Sequence, residues 1–302
     1  GIPLTAARGD ENSLGRMREF LPGAFCLGDF LRQQGYRNVF LGGADSGFAA
    51  KGRFLEQHGF DEVRDLDHYR GAGIDKAHFS NWGLHDDVLL DDAFDTFMAL
   101  SAGGAPFMLN ALTMDTHHPA GHLPVACRDV RYRSDLGDVG LLHAIRCSDQ
   151  LIARLVERIR ASPYAGNTLI VLASDHLAMP NDLSAVLADM RRENLLVFLG
   201  PGIHGQQLAV PGTTLDSGAT LLSLIDPDRN ALGFGRSLLA PDPAPAASMA
   251  ALEEGAPGYA AYLAYARSLW TGGDTRTLRI DGDQIRIGLQ HVRPPVMIEY
   301  DE

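Results

Sequence analysis

No long apolar run interrupts this sequence. Hydrophobic residues make up 45% of it, yet no stretch reaches the roughly 18 consecutive apolar residues that a membrane-crossing helix needs. Basic excess is missing too: acidic residues outnumber basic ones 38 to 26, for a formal charge of −12. Phosphate backbones are bound by basic stripes, so this balance argues against a nucleic-acid partner. It argues equally against attachment to anionic lipid by charge alone. Several catalytic signatures are absent. There is no G-x-S-x-G, which disfavours a hydrolase nucleophile elbow. There is no HExxH and no paired CxxC, and the loop Gly42-Gly43-Ala44-Asp45-Ser46-Gly47 lacks the spacing of a nucleotide P-loop. Cysteine is scarce, with only Cys26, Cys127 and Cys147. Cys127 and Cys147 flank a polar stretch rich in Arg and Asp. A disulfide closing it would contribute about 3 kcal/mol and imply an oxidising compartment. Three buried reduced thiols fit the spacing as well. The chain opens on Gly1 rather than Met, as expected of a processed or truncated segment, so its first residues say nothing about compartment.

At 302 residues the chain can bury one large core, with or without a small appendage. Strand-like runs at Asn38–Leu41, Phe107–Leu112, Leu169–Ala173 and Asn194–Leu199 alternate with helical stretches at Leu27–Gln34, Lys51–His58, from Asn81-Trp82 to about Ser101, and Thr214–Ile225. From Val139 to Ala161, Leu141, Ile145, Ile152, Leu155, Val156 and Ile159 recur at helical spacing. Alternation of this kind predicts an α/β fold with a mostly parallel sheet flanked by helices. Residues 1–240 form the expected main domain. Residues 241–302 form a tail: a Pro/Ala linker at Pro241–Ser248, a helix over Tyr259–Trp270, and a hairpin around Asp281-Gly282.

Two of the strands end in polar residues. Phe107–Leu112 leads into Asp115-Thr116-His117-His118, and Leu169–Ala173 leads into Ser174-Asp175-His176. Parallel strands deliver their carboxyl ends to one edge, where ligands gather, so the two groups are expected to converge. Asp and His together suit a borderline divalent metal. His117 also reads as a turn or capping residue. Asp86 and Asp87 read as first-turn acids that suit a helix dipole. His85, His122, His143 and His204 stand alone and read as ordinary surface or core.

The segments ALTMDTHHPAG and ASDHLAM, together with FAAKGRFLEQHGF and NWGLHDD, resemble the periplasmic phosphoglycerol transferases that modify osmoregulated periplasmic glucans. Those proteins belong to the alkaline phosphatase/sulfatase superfamily and are related to lipoteichoic acid synthases. The resemblance runs from Gly1 to about Ser237 and weakly through the tail. It implies that Asp175 and His176 are metal ligands for Mn²⁺ or Zn²⁺. It implies that His117 contacts a phosphoglycerol head and that Lys51 is a basic phosphate-binding residue, whose other reading is a surface lysine at a helix start. Trp82 matches a position near the site, and reads otherwise as a core aromatic. The implied donor is phosphatidylglycerol, the acceptor a periplasmic glucan, and the location the periplasm, with membrane attachment through segments outside this chain. Relatives carry a nucleophilic threonine, a further acidic ligand and a cysteine ahead of the GIPL segment with which this chain begins. Residues 1–240 are therefore expected to be a truncated catalytic domain, inactive alone, and Thr5 is not the nucleophile. That missing cysteine would pair Cys26 and leave Cys127–Cys147 as the intact bridge. Sulfatases need C/S-x-P-x-R, and the nearest approach, Cys127-Arg128-Asp129-Val130-Arg131, lacks the Pro. A phosphodiesterase using water as acceptor and a non-catalytic head-group-binding domain are the alternatives.

Overall fold

The computed structural model describes residues 14–240, 259–270, 278–281, 284–287 and 290–292. The expected Pro/Ala linker, the GIPL segment with Thr5, and Gly282 of the hairpin turn lie outside the described residues. No helix among the described residues is long and apolar enough to cross a membrane.

β1 (Arg37–Gly42) is the centre of the molecule, with every residue after Arg37 buried. Strands covered on both faces read as continuous apolar runs, as Val39-Phe40-Leu41 does. β2 (Glu62–Arg64) and β3 (Phe107–Leu112) pair with β1 on either side, both parallel, in the order β2-β1-β3. α1 (Leu27–Gln33), α2 (Lys51–Gln57), α3 (Leu66–Gly71) and α4 (Asp86–Gly103) connect and flank these strands. Leu89 and Ala93 of α4 pack with Val39, Leu41, Tyr69 and Leu84 in one fully buried cluster. α5 (Gly140–Ala161) lies on α4, burying Cys147 and Leu151 against Leu90.

The buried stripe of α5 is Leu141, Ala144, Cys147, Ser148 and Leu151. Ile145, expected on that face, is 44% exposed. The small residues Ala144 and Cys147 line the seam because α5 is joined there to the preceding loop: Cys127 and Cys147 form a disulfide with Cα atoms 5.9 Å apart. Cys26 is the free thiol.

β4 (Ile170–Ala173) departs from expectation. It is half-buried rather than buried, and it pairs antiparallel with β5 (Leu196–Leu199) in a separate sheet of two strands. Each of its residues up to Leu172 keeps partial exposure because no described strand covers its other edge. α6 (Ser184–Ala188) lies between the two strands in sequence, and α7 (Thr214–Ile225) follows. α7 starts with a reciprocal capping box between Thr213 and Asp216. The short ribbon β6 (Ala231–Leu232) and β7 (Gly235–Arg236) packs on it.

The helix Tyr259–Ser268 rests on the main body. Its Tyr262 ring is 4.0 Å from that of Phe234, and Leu269 joins Phe20, Leu21 and Ala50 in a core cluster. The hairpin forms as β8 (Leu278–Asp281) and β9 (Gln284–Ile287), with Asp281 opposite Gln284. A third strand, β10 (Gln290–Val292), adds to β9.

Candidate functional site

The edge at which β1 and β3 end, where Gly42 lies opposite Leu112, gathers most of the polar chemistry. Two loops leave it, one after β1 leading to Lys51 and one after β3 carrying Asp115 and His117. Between them sits the turn that starts α4. Gly83 makes this approach possible: its φ is +143, and a Cβ there would fall 2.1 Å from the Gly43 carbonyl oxygen. The Leu84 amide donates to that same carbonyl at 3.0 Å. Only glycine tolerates both demands.

The turn and the β3 loop meet through aromatic rings. Trp82 lies with its centroid 3.8 Å from that of His117, and the His118 ring is 4.4 Å from His117. Trp82 is 39% exposed, so it is not a core aromatic. The His117 Nδ1 faces the His118 carbonyl oxygen at 3.0 Å. Nδ1–H therefore donates, which leaves Nε2 as the ring atom that can meet a ligand.

Beneath this stack is a buried acidic clasp that the sequence reading missed. Asp86 and Asp115 are 0% and 1% exposed. Asp115 accepts from His85 Nδ1 at 2.5 Å and from the Asp86 amide at 2.8 Å. Asp86 in turn accepts from the amides of Met114 at 2.6 Å and Asp115 at 3.1 Å. Burial, then the charge of Asp115, push the Asp86 carboxyl up to about 7. Burial works against a charged His85, but the hydrogen bond and charge of Asp115 outweigh it and raise the His85 pKa. His122, whose amide donates to the Asp115 carbonyl at 2.7 Å, is half-buried, and that burial lowers its pKa. His85 and His122 are thus parts of one cluster rather than isolated, and Asp86 is more than a first-turn acid. The adjacency of His and Asp in GLHDD was visible in sequence; their pairing with Asp115 was not.

Lys51 begins α2 directly after Ala49 and Ala50, both in the left-handed region with φ of 54 and 57. Two such alanines in succession cost roughly 1–2 kcal/mol each and mark a shaped loop. Ser46 anchors that loop through its hydroxyl to Asp65 at 2.6 Å. Burial of Lys51 lowers its pKa, with Asp45 and Asp65 opposing; it is not a freely solvated surface lysine.

Asp175 and His176 lie in the exposed loop after β4, with side chains 63% and 58% exposed. Their Oδ2 and Nε2 atoms are 3.2 Å apart, close to the roughly 3.3 Å between two ligands of a tetrahedral ion with bonds near 2.0–2.1 Å. His176 Nδ1 faces the Leu177 carbonyl oxygen at 2.7 Å, which turns Nε2 toward the carboxylate. The donor set fits one side of a divalent metal site. The pair is not joined to the His117 loop by a parallel sheet. The two loops touch through a backbone bond instead, Asp182 amide to Pro119 carbonyl at 3.3 Å.

A second ligand-like group lies at the opposite edge. Cys26, Asp29 and His58 bring possible ligand atoms within 4.8 Å of one another. Asp29 and His58 border a cavity of about 640 Å³ that Phe20, Phe25 and Gln57 also line. α2 runs back along β1, so His58 at its end is remote from the edge where Lys51 starts it.

A sequence profile named Sulfatase matches residues 17–227. The chain belongs to the sulfatase family. Among its relatives, Phosphoglycerol transferase I of Xanthomonas campestris pv. campestris is 62% identical over 304 aligned residues, covering 100% of this chain and 43% of the relative. Phosphoglycerol transferase I of Escherichia fergusonii is 41% identical over 240 residues, covering 79% of this chain and 31% of the relative. The chain thus spans less than half the length of these relatives. A solved structure of a protein in the alkaline phosphatase superfamily from Vibrio parahaemolyticus superposes with a TM-score of 0.62 at 22% identity, covering 80% of this chain and 56% of that one. The likeness shows the fold. This sulfatase-family chain nonetheless lacks C/S-x-P-x-R at its nearest approach, and Cys127 of that segment is held in the disulfide.

Proposed function

We propose that this chain is part of a catalytic domain that transfers phosphoglycerol from phosphatidylglycerol to a periplasmic glucan. The observation that carries this reading is the Trp82–His117 stack at the end of β1 and β3, linked by one loop contact to the Asp175–His176 pair. The names of its relatives support it.

In this reading His117 Nε2 accepts a hydrogen bond from a glycerol hydroxyl, and the face of Trp82 packs against the glycerol carbons. Lys51, partly desolvated and therefore weakly screened, offsets phosphate charge. Asp175 and His176 would hold a divalent ion, Mn²⁺ or Zn²⁺ by their O/N donors, which when bound supplies Lewis acidity and lowers the pKa of a nucleophilic hydroxyl. The nucleophile, a threonine in the related transferases, and a further acidic ligand are taken to lie outside this chain. The protein would work in the periplasm, held to the inner membrane by segments likewise outside it. The division at residue 240 into a catalytic part and a tail belongs to the same proposal.

The test is product analysis with the complete gene product, phosphatidylglycerol and a glucan acceptor. Phosphoglycerol-glucan is the expected product. Free glycerophosphate at an unchanged rate with or without glucan would replace transfer by hydrolysis, and no release of diacylglycerol would reject both. The 302-residue chain alone is expected to release none.

A further inference from the structure

We propose that His85 is a positioning residue for this site. Together with Asp115 it clamps the loop after β3 onto the start of α4 and so sets the spacing of Trp82 and His117. The inference rests on the phosphoglycerol reading of that stack.

The two rings come from segments that touch chiefly through the clasp. Trp82 is three residues before His85, and His117 two residues after Asp115. The Asp115 carboxylate spends both oxygens on consecutive residues of the α4 start, His85 Nδ1 and the Asp86 amide. Its own loop is folded tightly around it: the His117 amide donates to the Met114 carbonyl, Gly121 to His117, and His122 to Asp115, at 3.0, 3.0 and 2.7 Å. A shift of Asp115 therefore carries His117 with it. A shift of His85 carries Trp82, because only Gly83 and Leu84 separate them and the turn is closed on itself by the Ser80 amide to Gly83 carbonyl bond at 2.8 Å and the Phe79–Leu84 bridge.

Two links of this clasp depend on a protonation state, with opposite sign. The Asp86 carboxyl, raised to about 7, ionises as pH rises and then accepts its amide bonds more strongly, whereas the His85–Asp115 bond weakens as His85 loses its proton. The groups around His85 are Asp115 and His122 from the β3 loop, with His117 beside His122, and Asp86 and Asp87 from its own helix. His78, whose carbonyl accepts the His85 amide at 2.9 Å, completes the set. A raised histidine pKa means that the charged pair is present below it and lost as pH rises through it. Substrate affinity should weaken on the alkaline side accordingly.

Phosphatidylglycerol in mixed micelles, with glucan as acceptor, is the probe for the complete gene product. For His85→Gln, whose longer side chain cannot copy Nδ1, KM for the lipid should rise about tenfold, since displacement of a positioning group by about 1 Å costs that much or more. kcat should change less than about twofold, the pattern of lost binding rather than lost transition-state stabilisation. The alkaline rise in KM should disappear. Asp115→Asn should match it, and the double variant should be no worse than either. His85→Asn, whose amide can donate from the Nδ1 position, should restore KM while leaving it independent of pH. Wild-type KM and pH profile in His85→Gln would overturn the inference while leaving the phosphoglycerol reading intact. So would a fall in kcat at unchanged KM, or loss of folding in both His85 variants. A wild-type protein that releases no diacylglycerol would reject the phosphoglycerol reading itself.

Discussion

Replacing Asp86 by Asn should flatten the pH dependence of stability between about pH 5 and pH 8. The carboxyl is fully buried, and its pKa is raised from 3.8 to about 7, by burial first and the Asp115 charge second. A native state that holds a proton more tightly than the unfolded chain is stabilised at low pH. That stability is lost as pH climbs from the unfolded pKa through the native one. A shift of about three units corresponds to on the order of 4 kcal/mol over the full range, of which about 3 kcal/mol falls between pH 5 and pH 8. In Asp86→Asn the side-chain oxygen still accepts from the Met114 amide, but its NH₂ group faces the Asp115 amide, so absolute stability drops at every pH. The informative quantity is therefore the change in slope. Urea denaturation of wild type and variant at pH 5, 6, 7 and 8 measures it. The wild-type minus variant stability should fall steadily across the series. The residual slope of the variant should come from His85, whose raised pKa acts in the same direction at the upper end. Parallel curves would refute the reasoning, because they would mean that Asp86 is ionised in the native state throughout.

Removing the disulfide with Cys127→Ala and Cys147→Ala together should cost about 3 kcal/mol, from a crosslink spanning 20 residues; an unchanged urea midpoint would contradict it. Gly83→Ala should cost more than about 2 kcal/mol, since the new Cβ meets backbone rather than a movable side chain; Trp82 fluorescence should shift with it. Asp175→Ala should abolish stoichiometric Mn²⁺ or Zn²⁺ measured by elemental analysis in the complete gene product, and unchanged metal content would remove Asp175 from the ligand set.

The periodicities that come from local chain geometry were legible without a structure. The buried run Val39-Phe40-Leu41 announced a covered strand, the caps and spacing announced α2, α4, α5 and α7, and alternation about Asp281-Gly282 announced a hairpin, β8–β9. Asp175-His176 could be proposed from sequence as a metal pair, because that reading needs only adjacent residues. Spacing left the cysteine pairing open, since reduced thiols and a bridge predict the same apolar burial. The family resemblance implied the Cys127–Cys147 bridge, and the fold forms it. Spacing also left open β4, whose apolar residues suit a parallel or an antiparallel neighbour, and whose partner β5 runs antiparallel. The clasp was the least legible. Residues 85, 86 and 115 are separated by a helix and a strand, and no periodicity links them. What makes them one unit is that parallel strands deliver the β1 and β3 loops to the same edge, where the start of α4 closes over both. Sequence determined which side chains were available there. The tertiary structure decided that a histidine read as incidental would share a buried carboxylate with the loop that carries His117.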